Sequence, residues 1–170
     1  MHIETERFIL HQLDAESDDF ANYLTWMQDV TANPFILGTN SNFTMEELRK
    51  YVGEKNRQND CCLLGIFLKT NRTHIGNLKF EPIDWHAGTA WLGILIGDQR
   101  WKNVHAAREV LLASMEKLSR ELSINVFFLG VSFENTAAIR SYRSIGFEVD
   151  DSLSSSAKSD GIIMRKQLSL

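Results

Sequence analysis

The stretch over residues 91–149, WLGILIGDQRWKNVHAAREVLLASMEKLSRELSINVFFLGVSFENTAAIRSYRSIGFEV, constrains the fold more than any other. Leu92, Ile94 and Ile96 make an apolar strand that stops at Gly97-Asp98. From near Asn103 a helical pattern opens. Val104, Ala107, Leu111, Met115, Leu118 and Leu122 recur every three or four positions, the spacing of one helix face. Residues 126–131 are almost wholly apolar, as expected of a strand covered on both faces. A strand, a crossover helix and a second apolar strand join most economically as a right-handed βαβ unit. A short helix from Asn135 and a strand opened by Gly146-Phe147 complete the run.

Upstream, residues 6–13 alternate as a first strand, and residues 18–28 carry Phe20, Tyr23, Leu24 and Met27 on one helical stripe. Asn33-Pro34 interrupts that pattern, and residues 38–42 form a loop. Thr44 and Glu47 have capping-box spacing and open a second helix through Leu48, Tyr51 and Val52. Strands over 61–69 and 73–83 meet at Thr70-Asn71-Arg72 as a hairpin, and a turn at residues 85–88 leads into the strand over 89–97. After Val149 a Ser-rich loop over 150–158 precedes a last strand over 161–168. No repeat or boundary divides the 170 residues, so residues 1–170 are expected to form one domain.

Charge and composition exclude several classes of function. A net charge of −4 gives no support for nucleic-acid binding. No apolar run approaches a membrane span, and the N-terminus lacks the basic and apolar regions of a signal peptide. Cys61 and Cys62 are adjacent, a poor arrangement for a structural disulfide, so they are expected as strand residues. The expected location is the cytoplasm, as a monomer or homodimer.

At NTAAIRSYRSIGFE the chain resembles the closing motif of the GNAT superfamily of acyl-CoA N-acyltransferases. The matching residues are Asn135, Ala138, Tyr142, Gly146 and Phe147. TERFILHQL near the start is similar to that family's T-E-R-L-x-L-R-x-L, and IGD and the helix pattern ending in Glu109 extend the likeness. The likeness is strongest to the RimJ/RimL-like branch of ribosomal-protein N-terminal acetyltransferases and amino-sugar acetyltransferases. THIGNLKFEPIDWHAG leans to the amino-sugar side. The resemblance implies an α/β (α+β) GNAT fold. Its mixed, mostly antiparallel sheet has about six to seven strands, splayed between the fourth and fifth and flanked by about four helices.

One departure stands out. The turn before the long helix normally follows R/Q-x-x-G-x-G/A in that family, and here the aligned residues are Lys102, Asn103, Val104, His105, Ala106 and Ala107. His105 replaces the central glycine, and Asn103 replaces a glycine this branch often carries. Such a loop binds the pyrophosphate of coenzyme A through backbone N–H groups at a helix N-terminus, where the dipole favours an anion. Glycine there permits close approach and positive φ. A right-handed conformation would let His105 turn its imidazole outward or towards phosphate, whereas positive φ, or a place against the pyrophosphate, would make His105 block the cofactor.

By resemblance, backbone around Leu95 and Ile96 binds the thioester, residues Lys102, Asn103, Val104, His105, Ala106 and Ala107 bind pyrophosphate, and Asn135 contacts the cofactor arm. Asn135 is equally suited to cap its helix. Tyr142 stands where the family's tyrosine gives a proton to the departing sulfur, and a phenol, which ordinarily titrates near about pH 10, carries that proton at neutral pH. Acceptor candidates are Trp26, Phe35, Glu81, Trp85, His86 and Trp91. Large aromatics more often simply pack, and Trp91 occupies the position where many relatives carry a glutamate. No general base is assigned among Glu81, Asp84, His86 and Glu134. No metal is called for.

Three functions fit. One is an N-acetyltransferase using acetyl-CoA as cosubstrate, acting on a small primary amine, such as an amino sugar, or on a peptide N-terminus. A second is a non-catalytic GNAT-fold binding module that has lost normal acetyl-CoA binding. A third is an enzyme with a shifted donor or phosphate site that uses Lys102, Arg100 or Arg108 for charge.

Overall fold

The computed structural model describes residues 1–32, 35, 38–154 and 161–169. Eight strands form one sheet in the order β1-β2-β3-β4-β5-β6-β8-β7. They are β1 His2–Glu4, β2 Phe8–Gln12, β3 Cys62–Leu68, β4 His74–Asp84, β5 Thr89–Ile96, β6 Val126–Ser132, β7 Glu148–Val149 and β8 Gly161–Gln167. The helices are α1 Ala21–Gln28, α2 Met45–Arg57, α3 Ala106–Leu122, α4 Thr136–Ser144 and the single turn α5 Asp151–Ser154. Every pairing is antiparallel except β5 with β6, the pair flanking the crossover helix α3. The mixed, mostly antiparallel sheet is the one expected. One strand more is present because β1 spans only three residues, too few for alternation to reveal.

Side chains alternate between two cores. On one face Phe8, Leu10, Leu64, Ile66, Leu78, Phe80 and Phe127 meet Val110, Leu111, Met115 and Leu118 of α3. Burying each such side chain is worth roughly 1.5–3 kcal/mol, against at most about 0.7 kcal/mol per residue from helix propensity, so packing fixes α3 on the sheet. On the other face Leu13, Leu63 and Leu95 pack with Phe20 and Tyr23 near α1 and with Leu48 and Val52 of α2. Thr44 and Glu47 form the expected capping box.

Three expectations need correction. The long helix starts at Ala106, not near Asn103, because Asn103 and His105 both have φ of 60°. The first helix starts at Ala21, with the Asp19 carboxylate accepting from its N–H. β6 is covered on one face only: Phe127, Leu129 and Val131 are buried, while Phe128 is half-buried and Gly130 exposed. The Asn33-Pro34 break lies outside the described residues. Asp151–Ser154 turns as a helix within the expected Ser-rich loop, and 155–158 lie outside the described residues. Cys61 and Cys62 are free and partly buried. No helix among the described residues is long and apolar enough to cross a membrane.

The feature that positions the site is where β5 and β6 part. Their pairing runs from Thr89↔Val126 to Trp91↔Phe128 and ends. β5 continues to Ile96 and β6 to Ser132 without pairing to each other, so the sheet is splayed where the sequence placed its fourth and fifth strands.

Candidate active site

The loop leaving β5 is built around tight contacts. A Cβ on Gly97 would lie 2.0 Å from the Trp26 ring, so only glycine lets the chain pass the indole. Asp98 then caps a 3₁₀ turn, Gln99–Trp101, by accepting from the Arg100 N–H, and it pairs with the Arg100 guanidinium at 2.6 Å. Arg100 is therefore engaged away from the cleft described below. Beyond Lys102 the backbone enters the left-handed region at Asn103 and again at His105, each with φ of 60°. This region costs an ordinary L-residue roughly 1–2 kcal/mol, with asparagine among the better tolerated. The loop thus follows a path suited to glycine with no glycine in it, and of the two conformations open to His105 it takes the positive-φ one.

His105 is the N-cap of the 17-residue α3, makes no side-chain capping bond, and accepts the Glu109 N–H on its carbonyl at 3.1 Å. Among the described residues, the backbone N–H groups of residues 103–108 donate to no protein acceptor. They sit where the α3 dipole concentrates positive potential.

These N–H groups border a cleft of about 620 Å³. The strand end contributes Ile94, Leu95 and Ile96; the loop and α3 contribute Lys102, Asn103, His105, Ala106, Ala107 and Arg108; α4 contributes Ala138, Arg140, Ser141 and Tyr142, with Asn135 at its start. Phe35 stands at the same cleft and is exposed. The structure therefore brings together every cofactor-site candidate except Val104. That side chain is exposed outside the lining, and its carbonyl accepts from Arg7 Nη2 at 3.1 Å. Arg140, Ser141 and Ser144 line the cleft without having been singled out in the sequence. Arg108 donates to the Ser144 carbonyl at 2.8 Å and so ties α3 to the end of α4. Basic residues beside the α4 motif were the available signal for Arg140.

Tyr142 is half-buried, edge-on to Phe147 with ring centroids 6.0 Å apart. Burial pushes its phenol pKa up to about 12. Its hydroxyl makes no hydrogen bond among the described residues. Asn135 caps α4, its Oδ1 accepting the Ala138 N–H at 3.2 Å, which leaves its amide nitrogen uncommitted among the described residues. Burial lowers the Lys102 pKa, opposed by Asp29, and its Nζ donates to the Ala32 carbonyl at 3.2 Å.

The acceptor candidates do not converge. Trp26 is buried in the α1 core among Tyr23 and His74. Trp85 and His86 occupy the turn before Thr89, roughly 23 Å along β5 from Ile96 at the usual strand rise. There the Trp85 indole donates to the Asn59 carbonyl at 2.9 Å. Glu81 pairs with Lys55 and, at 2.7 Å, with Lys79. Burial raises its pKa, the lysine hydrogen bonds lower it more, and the net shift is downward. A carboxylate so held is a poor proton acceptor.

Trp91 lies nearer the split. It stacks on Phe128 at 5.3 Å and 27°, at the last paired position of β5 and β6. Just beyond stand Gly93 and Gly130, both exposed, with nothing within 4 Å of a Cβ built on either. By strand alternation these four residues share the α1/α2 face of the sheet, whereas Tyr142 packs on the α3 core. The split therefore connects the two faces.

This architecture recurs among solved acetyltransferases. RimL, a ribosomal L7/L12 α-N-protein acetyltransferase in complex with coenzyme A, superposes with a TM-score of 0.85 at 16% identity, over 99% of this chain and 98% of that one. An acetyl transferase from Salmonella typhimurium that modifies the N-terminal serine of L7/L12 gives 0.79 at 17%, over 99% and 100%. The microcin C7 self-immunity acetyltransferase MccE, in complex with acetyl-CoA and AMP, gives 0.78 at 14%, over 96% and 93%. At these identities the likeness is one of fold. No curated protein sequence matches the chain. The family model of the acetyltransferase (GNAT) domain matches residues 7–148, most of its length, and the chain belongs to that family.

Proposed function

We propose that this protein is an acetyl-CoA-dependent N-acetyltransferase acting on a primary amine. The observation that carries the reading is the run of uncommitted N–H groups over residues 103–108, at the N-terminus of α3 and bordering the cleft. Asn103, His105, Ala106, Ala107 and Arg108 line that cleft, and uncommitted N–H groups with the helix dipole behind them suit a pyrophosphate. His105 lines this cleft of about 620 Å³, so its imidazole stands at the wall of the proposed pyrophosphate site. Residues 102–108 and Asn135 would hold the cofactor, which supplies acetyl as a thioester.

The chain's residues then have defined tasks. The edge of β5 beyond Trp91, free of β6, presents the backbone donors of Ile94 and Ile96 for the thioester carbonyl, while the backbone of Leu95 between them faces β4. Tyr142, protonated far above neutrality, gives its proton to the sulfur as the amine nitrogen bonds the acetyl carbon and the C–S bond breaks. The amine nitrogen's own proton leaves to solvent, and Tyr142 is reprotonated from solvent.

The amine enters from the α1/α2 face, past Gly93 and Gly130, where the bare glycine backbones leave room. The Trp91–Phe128 pair beside that entrance favours a small amine with a ring face, such as an amino sugar, and a peptide N-terminus is the alternative acceptor. The competing reading is a non-catalytic binding module. It is favoured by one observation, the absence of glycine at both positive-φ positions of the loop.

Release of free thiol from acetyl-CoA separates the two. It would be followed with glucosamine, a nucleotide-linked amino sugar and a peptide with a free N-terminal serine. Amine-dependent thiol release that Tyr142→Phe suppresses supports the enzyme. Thiol release absent with every amine, in a protein that melts cooperatively, leaves the module.

A further inference from the structure

We infer that Arg7, outside the cleft, is the positioning residue that holds the glycine-less loop in its binding shape. This inference rests on the acetyl-CoA reading of the cleft. Arg7 sits between β1 and β2, and three donors from that turn converge on one carboxylate, that of Glu109 in the first turn of α3. Thr5 Oγ1 donates to Glu109 Oε1 at 2.6 Å, the Arg7 N–H to the same oxygen at 2.9 Å, and Arg7 Nε to Oε2 at 2.7 Å. The guanidinium does not stop there. Its Nη2 reaches the carbonyl of Val104 at 3.1 Å, the residue between the two positive-φ positions. The same group lies 5.7 Å from the centre of the Trp101 ring, at the near end of the loop.

Two consequences follow from chemistry. A planar fork can bind Glu109 and Val104 at once, which a single ammonium cannot do in the same directions. Val104 is thereby fixed to the sheet while its neighbours occupy a backbone region that neither histidine nor asparagine prefers as glycine does. The second consequence is electrostatic. Glu109 stands beside the proposed anion site, and its charge would repel pyrophosphate if left unbalanced. Its hydrogen bonds outweigh the effect of burial and lower its pKa, so it stays ionised, and Arg7 supplies the opposing charge.

The test uses the full chain with Arg7→Lys and Arg7→Met, each alone and with His105→Gly. Hydrogen exchange of the Glu109 and Val110 amides, the first of α3 to donate within the protein, is compared with that of β6, and acetyl-CoA is titrated calorimetrically. Arg7→Lys, which keeps a charge for Glu109, is expected to leave the melting temperature nearly unchanged. It should speed exchange of the Glu109 and Val110 amides at least tenfold, leave β6 unaltered, and weaken acetyl-CoA binding about tenfold. Restoring glycine at 105 should return most of that affinity, because the loop then needs less holding. Exchange at Glu109 and Val110 unchanged in Arg7→Met, or raised evenly along the chain, overturns the inference. If the unaltered protein binds no acetyl-CoA, the enzyme reading falls, while the exchange comparison still decides what Arg7 does.

Discussion

His105 allows the loop's strain to be measured apart from its chemistry. The residue holds φ of 60° and makes no capping bond, so replacing it removes no hydrogen bond of its side chain. His105→Gly relieves a left-handed cost of roughly 1–2 kcal/mol and adds about 0.5–1 kcal/mol of chain entropy to be lost on folding. The net gain over the unaltered protein is about 0–1.5 kcal/mol. His105→Ala also removes the imidazole yet keeps its Cβ in the left-handed region. The glycine variant should therefore exceed the alanine variant by about 1 kcal/mol, or roughly 2–4 °C in a domain of this size. Differential scanning calorimetry of the three proteins at one pH reads this directly. An alanine variant melting at or above the glycine variant would refute the reasoning, because His105 would then carry no backbone strain.

Other consequences are as definite. Tyr142→Phe should lower kcat by about 10²–10⁴-fold while leaving acetyl-CoA affinity within a factor of a few, since a general acid acts on the step and not on binding; turnover measured beside calorimetry checks both. His74 is buried at 5% exposure, its Nε2 shared between the Gly76 carbonyl and Asn77 Oδ1 at 2.9 Å, and burial holds its pKa below 6.5 despite those bonds. The unfolded chain therefore takes up a proton below about pH 6.5 that the folded protein refuses. Stability should fall as pH drops through that value, by up to about 1.4 kcal/mol per pH unit from this group, and denaturant unfolding of His74→Gln should show a flatter profile between pH 6.5 and 5. Gly97→Ala would drive a methyl into the Trp26 ring and should cost about 1–3 kcal/mol, seen as a lower urea midpoint with unchanged m.

The sequence exposed those parts of the fold in which local pattern and tertiary packing agree. Leu111, Met115 and Leu118 recur at helical spacing because they face one core, and all three are buried. Thr44 and Glu47 announced a helix start because both halves of a capping box lie within four residues. Asn135 was legible as a cap for the same reason. What escaped was set by distance along the chain. Arg7 and Glu109 meet across 102 positions, and no local pattern records it. Arg108 reaching Ser144 is of the same kind. The aromatic acceptor candidates divided by packing: Trp26 fills a core against Gly97, while Trp91 stacks beside the split. Residue type alone does not distinguish those fates. The loop conformation was undecidable because positive φ at a histidine is imposed by surroundings and not by the histidine.

The central claim is that this loop, without glycine, still receives a pyrophosphate. Its most direct test is a calorimetric comparison of acetyl-CoA with S-acetylpantetheine, which keeps the thioester and lacks the pyrophosphate. The account predicts that acetyl-CoA binds at micromolar strength and at least a hundredfold more tightly, about 2.7 kcal/mol. Equal affinities, or no binding of either, would contradict it.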